Sequence, residues 1–124
     1  MNARLAMQVL QAGRIAIGAA LVAVPARPGG DWVGEDGRTP GGQVALRALG
    51  AREILVGAGA FHAARGGDAK TAATWALAIA ACDLVDAAAT GVAAGSLPHR
   101  GVPVGALALG SAAAGVLIAA RLCD

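Results

Sequence analysis

A chain of 124 residues holds one domain at most, and its 56% hydrophobic content, at a mean hydropathy of +0.62, stands above the roughly 45 to 50% apolar share of soluble domains. A net charge of +2 and the lack of a basic run with interleaved aromatics give no footing for a nucleic-acid partner. Much of the apolar content is alanine beside 19 glycines and a single phenylalanine, so its helices are smooth-sided, can approach closely and each enter lipid weakly.

In chain order, the first apolar stretch covers 7–24, from Met7 to Val24, and stops at Pro25. A loop dense in Gly, Pro and acids, Ala26 to Gly42, comes next. The second stretch covers 43–64, Gln43 to Ala64, and is followed by the turn Arg65, Gly66, Gly67, Asp68. The third covers 71–95; Ser96 to Arg100, with Pro98, turns the chain into the fourth, 101–122, where Pro103 suits a first helical turn. Each stretch has about 18 to 25 residues, the length a helix needs to cross roughly 30 Å of hydrocarbon. Alternation of period two is absent, which disfavours strands.

The expected fold is therefore all-α: one four-transmembrane-helix bundle in the plasma (inner) membrane, with the lipid bilayer as its first partner. Two blander readings compete. Residues 1–26 could form a signal peptide, since Arg4 and Arg14 precede the apolar run Ile15 to Val24, and Val24, Pro25, Ala26 loosely resembles a cleavage site. A soluble Ala-rich bundle is opposed by the fourth stretch, which has no charge from Gly101 to Ala120 and hence no face for water. For orientation, Arg4, Arg65, Lys70 and Arg121 fall on one side and Arg27, Arg38 and Arg100 on the other. The larger basic count places both termini in the cytoplasm and the 26–42 loop outside.

Charges inside the spans carry most of the information. Arg14 lies in the first, Arg47, Arg52 and Glu53 in the second, and Asp83 and Asp86 in the third, which makes three positive and three negative. A charge at a helix centre costs about 2.5 to 3.5 kcal/mol on the insertion scale, and the seven large apolar residues of the second stretch return only about 3 kcal/mol together. That helix should not insert alone, and the Asp pair gives the third the same difficulty. The two are expected to enter as a hairpin with their charges paired. At 1.5 Å per residue, Arg14, Arg52, Glu53, Asp83 and Asp86 share a layer roughly 12 to 17 Å deep, with Arg47 shallower at about 6 Å. Gln8, Gln11 and Arg14 form one stripe, and Asp83, Asp86 and Thr90 another; both should face the interior. The expected pairs are Arg14 with Glu53, and Arg52 with Asp83 or Asp86, leaving Arg47 to reach Asp86 or lipid phosphate. Around the second helix Arg52 lies about 140° and Glu53 about 240° from Arg47, so these three share no face. Protein on most sides, as in a homodimer, or a bend near Gly50 would accommodate them.

Trp32 to Gly34, the run Arg47 to Glu53 (Arg-Ala-Leu-Gly-Ala-Arg-Glu) and Asp83 to Asp86 (Asp-x-x-Asp) resemble a group of small, uncharacterised, multi-pass membrane proteins of actinobacteria. The similarity covers roughly residues 10–95. It implies four helices, no established activity and no transferable functional residue. A weaker likeness is to four-helix membrane proteins of the DoxX type.

His62 and His99 fall on opposite sides of the membrane, so no metal site or other cofactor is expected. Trp32 and Trp75 fit interfacial anchors. Gly91 with Gly95 and Gly101 with Gly105 match a small-residue dimer motif. Cys82 and Cys123 sit too far apart to bond. Three function classes remain. Equal numbers of positive and negative charges favour a non-catalytic membrane subunit or scaffold, alone, as a homodimer or in a larger membrane complex, whose charges clasp helices in register. Proton- or cation-coupled transport or small-ligand binding at the carboxylates is the alternative. An intramembrane enzyme acting on lipid or quinone comes last, because Cys82 points about 100° away from Asp83 and Ser111 is expected to have no near base.

Overall fold

The computed structural model describes residues 2–124, which form five α-helices and two short 3-10 segments, with no strand among them. Helix α1, Ala3–Ala23, starts where the Asn2 side chain accepts from the Leu5 amide at 2.8 Å. It ends ahead of Pro25, whose ring disfavours helical geometry at Val24. The segment expected as a loop instead folds into α2, Ala26–Val33, and a 3-10 turn, Gly34–Arg38. Two glycines allow this against their poor helix propensity. A Cβ at Gly37 would lie 2.6 Å from the Gly29 carbonyl oxygen, so the two backbones can close on one another only without side chains. Gly34 reverses the chain between them at φ 75°, a left-handed conformation that suits glycine.

Helix α3, Pro40–Gly66, begins with Thr39 accepting from the Gly42 amide at 3.0 Å and Pro40 in the first turn. Its end is held from outside. Arg4 Nη1 donates to the carbonyls of Ala64 and Gly67 at 3.2 and 3.0 Å, a cation at a helix C-terminus. Asp68 then caps α4, Ala69–Ala93, taking the Thr71 amide on Oδ1 at 2.8 Å and the Thr71 hydroxyl on Oδ2 at 2.7 Å. A 3-10 turn, Ala94–Ser96, and Pro98 lead into α5, Gly101–Cys123.

The four long helices pack chiefly as two antiparallel pairs, α1 with α3 and α4 with α5, and the pairs touch each other less. Small residues make both close. A Cβ at Gly18 would stand 2.6 Å from the Gly50 carbonyl oxygen, and one at Gly50 would stand 2.6 Å from that of Gly18. Gly50 is thus the crossing point of α1 and α3. In the other pair a Cβ at Gly115 would stand 3.1 Å from the Ala76 carbonyl oxygen, and Gly105 faces Thr90. Gly101 is buried against the Trp32 carbonyl, whereas Gly91 and Gly95 look onto open space, so of the two dimer-like glycine spacings one is used within the chain. The apolar core lies toward the end that holds the N-terminus, the α3–α4 turn and the C-terminus, with Met7, Ala60, Ala76, Ile79 and Ile118 at its centre.

Three helices, α1, α4 with its extension to Ser96, and α5, are long and apolar enough to cross a membrane. Helix α3 has the length, at 27 residues, but Arg47, Arg52 and Glu53 interrupt its apolar run. Large apolar side chains cover the outside of every long helix: Val9 is 59% exposed, Leu55 72%, Val85 65% and Leu117 63%. An apolar surface this extensive is suited to lipid.

Candidate functional site

The interior charges gather where the two helix pairs meet. Arg14, 8% exposed, is their hub: Nη1 donates to Glu53 Oε2, and Nη2 donates to Asp83 Oδ2 at 2.6 Å and to Ser111 Oγ at 3.2 Å. One guanidinium therefore links α1 to α3, α4 and α5, using the planar fork that only arginine offers. Arg52 Nη2 donates to Glu53 Oε1 and to Asp86 Oδ2, both at 2.9 Å. Glu53 is shared by both arginines and Asp83 is 3% exposed, so each deeply buried carboxylate meets a charged donor.

The expected pair of Arg14 with Glu53 is present, and Arg52 takes Asp86, not Asp83. The choice follows from helix geometry. Asp83 lies on the face of α4 turned to α1 and α5, while Asp86, one turn on, is within reach of the side of α3 that carries Arg52. Arg47 joins neither Asp. It is exposed and its Nε donates to the Val22 carbonyl at 3.2 Å, at the last turn of α1. In α3, Glu53 points inward, Arg52 reaches round the helix with its side chain 38% exposed, and Arg47 is exposed. The balance of three against three consequently becomes two arginines against three carboxylates, one negative charge in excess when all five are ionised.

Of the supporting stripes, Gln11 is buried with Oε1 lacking a donor, and Gln8 is half-buried. Thr90 is buried; its hydroxyl donates to the Asp86 carbonyl at 2.8 Å and accepts from Trp32 Nε1 at 3.2 Å. Trp32 is thus tied into the protein interior and does not serve as a free interfacial anchor. Ser111 is the residue whose partner the sequence conceals: its hydroxyl donates to Asp83 Oδ2 at 2.6 Å, so a carboxylate does stand beside it. That contact crosses from α5 to α4, and no local spacing announces it. Since Asp83 Oδ2 is also held by Arg14, Ser111 belongs to the ion network and is not set up as a nucleophile.

A cavity of about 390 Å³ opens beside the cluster. Its walls are apolar, with Ile17, Leu49, Val104 and Leu107 among them, Trp32 contributes from α2, and Arg14, Glu53, Asp83, Asp86 and Ser111 supply its polar side. The bonds to Asp83 and Asp86 fall on Oδ2 of each, leaving both Oδ1 atoms without a donor from the described residues. Arg14 Nε is buried without an acceptor. Among the described residues no three His, Cys, Asp or Glu side chains stand together as a metal-binding group.

Fold and site together define an all-helical protein with three helices long and apolar enough to cross a membrane and a buried ion cluster on the wall of an apolar cavity. No family model matches the sequence, and no curated protein or solved structure shows significant similarity to it.

Proposed function

We propose that the chain is a four-span membrane protein that binds and releases one proton or monovalent cation at the Asp83–Asp86 side of its ion cluster, as a small proton- or cation-coupled carrier or binding protein. The observation that carries this reading is the excess carboxylate: with Arg47 held at Val22, two arginines face three acids on a cavity wall. An uncompensated charge in hydrocarbon is costly, so the neutral cluster needs one more positive charge from outside the chain. Helix α3 is the fourth span in this reading. Its outward residues Val44 and Leu55 are apolar, and Arg52 and Glu53 are paired against its neighbours, which removes most of the cost of inserting it alone. Both termini then lie on the cytoplasmic side, where the basic residues are more numerous.

The structural clasp is the second reading, favoured by Arg14 bridging four helices at once. Reconstituted liposomes separate the two. Asp86→Asn keeps the fold, because Arg52 retains Glu53, and abolishes pH-driven proton or cation movement if the first reading holds. Flux that is unchanged in the variant, or absent from a wild type that also shows no proton or cation binding dependent on Asp86, leaves the clasp.

A further inference from the structure

We infer that the cavity beside the cluster takes a lipophilic organic monocation, which replaces the proton as the counter-charge of the Asp83–Asp86 pair; this rests on the proton- or cation-binding reading above. Charge comes first. The groups facing the two aspartates are Arg14 from α1 and Arg52 and Glu53 from α3, while α5 contributes only the Ser111 hydroxyl and α2 only Trp32, so the excess is negative and single. Free acceptors come second: Asp83 Oδ1, on a side chain nine-tenths buried, and Asp86 Oδ1 both lack a donor and belong to residues that line the cavity.

The walls then decide which cation. A hard metal ion asks for about six oxygen ligands and surrenders its water reluctantly. Two free carboxylate oxygens among leucines, valines and isoleucines cannot replace that shell. An organic cation with apolar substituents carries its own desolvated surface, and at about 390 Å³ the cavity falls within the range of small-molecule sites. Trp32 adds an aromatic ring to the wall, held by its Nε1 bond to Thr90, of the kind that attracts organic cations. An anion would meet two unpaired carboxylate oxygens and is excluded by the same charges.

The test uses the full chain in lipid nanodiscs with tetraphenylphosphonium as probe, followed by titration calorimetry at several pH values. The expected result is saturable binding of one probe per chain, release of about one proton, and affinity that rises with pH by up to about tenfold per unit wherever the proton and probe compete one for one. Asp86→Asn and Leu107→Trp should each weaken binding at least tenfold, the first by removing the charge and the second by filling the cavity. Trp32→Leu, which removes the ring and its Nε1 bond to Thr90 without adding bulk, should weaken it severalfold. Binding that is non-saturable, or indifferent to Asp86→Asn and to Trp32→Leu, would overturn the inference. A potentiometric titration of the probe-free protein distinguishes the two levels of failure. If the probe does not bind yet wild type takes up, at a pH well above the ordinary aspartate value of about 3.9, one proton that Asp86→Asn does not, the ligand class is wrong and the proton site stands; if no such difference exists in that range, both fall.

Discussion

Arg14 and Arg52 are both interior arginines with two carboxylate partners, but their surroundings differ enough to separate their weights. The Arg14 side chain is 8% exposed and that of Arg52 38%. Removing Arg14 leaves Glu53 with one arginine and Asp83 with none, in a place water barely reaches. Arg14→Met is therefore expected to cost about 3 to 5 kcal/mol, the range for an orphaned buried partner. Arg52→Met should cost less than this, because Glu53 keeps Arg14 and only Asp86 loses its arginine. Unfolding in mixed micelles measures both. Combining Arg14→Met with Asp83→Asn should recover part of the loss, and strict additivity of the two would count against a clamped pair. Ser111 belongs to the same account, as the neutral donor that shares Asp83 Oδ2 with Arg14.

Helices α1 and α3 meet through Gly18 and Gly50, each facing the other's carbonyl oxygen at a distance no Cβ allows. Gly50→Val would push the pair apart where Arg14 and Glu53, one turn further along, must meet. Overpacking of this kind costs about 1 to 3 kcal/mol, and the shift should also weaken the ion pair; Gly110→Val, at a glycine facing open space, serves as the matched control and should be near neutral. At the start of α4, the two Thr71 bonds hold the Asp68 carboxyl below its ordinary value. A lowered folded-state pKa stabilises the fold above the unfolded value, about 3.9, and that contribution disappears as pH falls through the folded one. Asp68→Ala should thus lose stability at neutral pH by an amount that shrinks under acid, vanishing below both values. A difference from wild type that is constant with pH would show that the cap acts through shape and not charge.

At the scale of the whole molecule, two tight helical hairpins are joined by Arg14–Asp83 and Arg52–Asp86 across a looser interface that holds the cavity. The N-terminus and the α3–α4 turn lie together at one end, through Arg4 and Gly67, and α2 and the α4–α5 turn lie at the other, through Asp31 and Arg100 at 3.1 Å. If all four long helices cross, as proposed above, these ends lie on opposite sides of a bilayer. In a background with Cys82 and Cys123 replaced, a cysteine at Glu35 is expected to react with an impermeant thiol reagent in intact cells, and one at Lys70 only after lysis. Labelling of both from outside would mean that α3 does not cross.

Hydropathy and punctuation in the sequence determined what depends on neighbours along the chain: that the protein is helical, where the long helices break, at Pro25, Gly67 and Pro98, and which charges lie at mid-helix depth. They also showed that Glu53 and Arg14 share a layer, since depth is only a count of 1.5 Å steps. What they could not decide is which faces meet. That Arg47 leaves the cluster and that Asp83 belongs to Arg14 and Ser111 and not to Arg52 depend on contacts between residues 25 to about 100 positions apart. The physical reason lies in the small side chains. A helix of alanine and glycine has many nearly equivalent faces, so its rotation is set by a few close backbone approaches, Gly18 on Gly50 and Gly115 on Ala76, which exist only once the helices have packed. The sign of the cluster follows from that rotation, and with it the difference between a balanced clasp and a site one positive charge short.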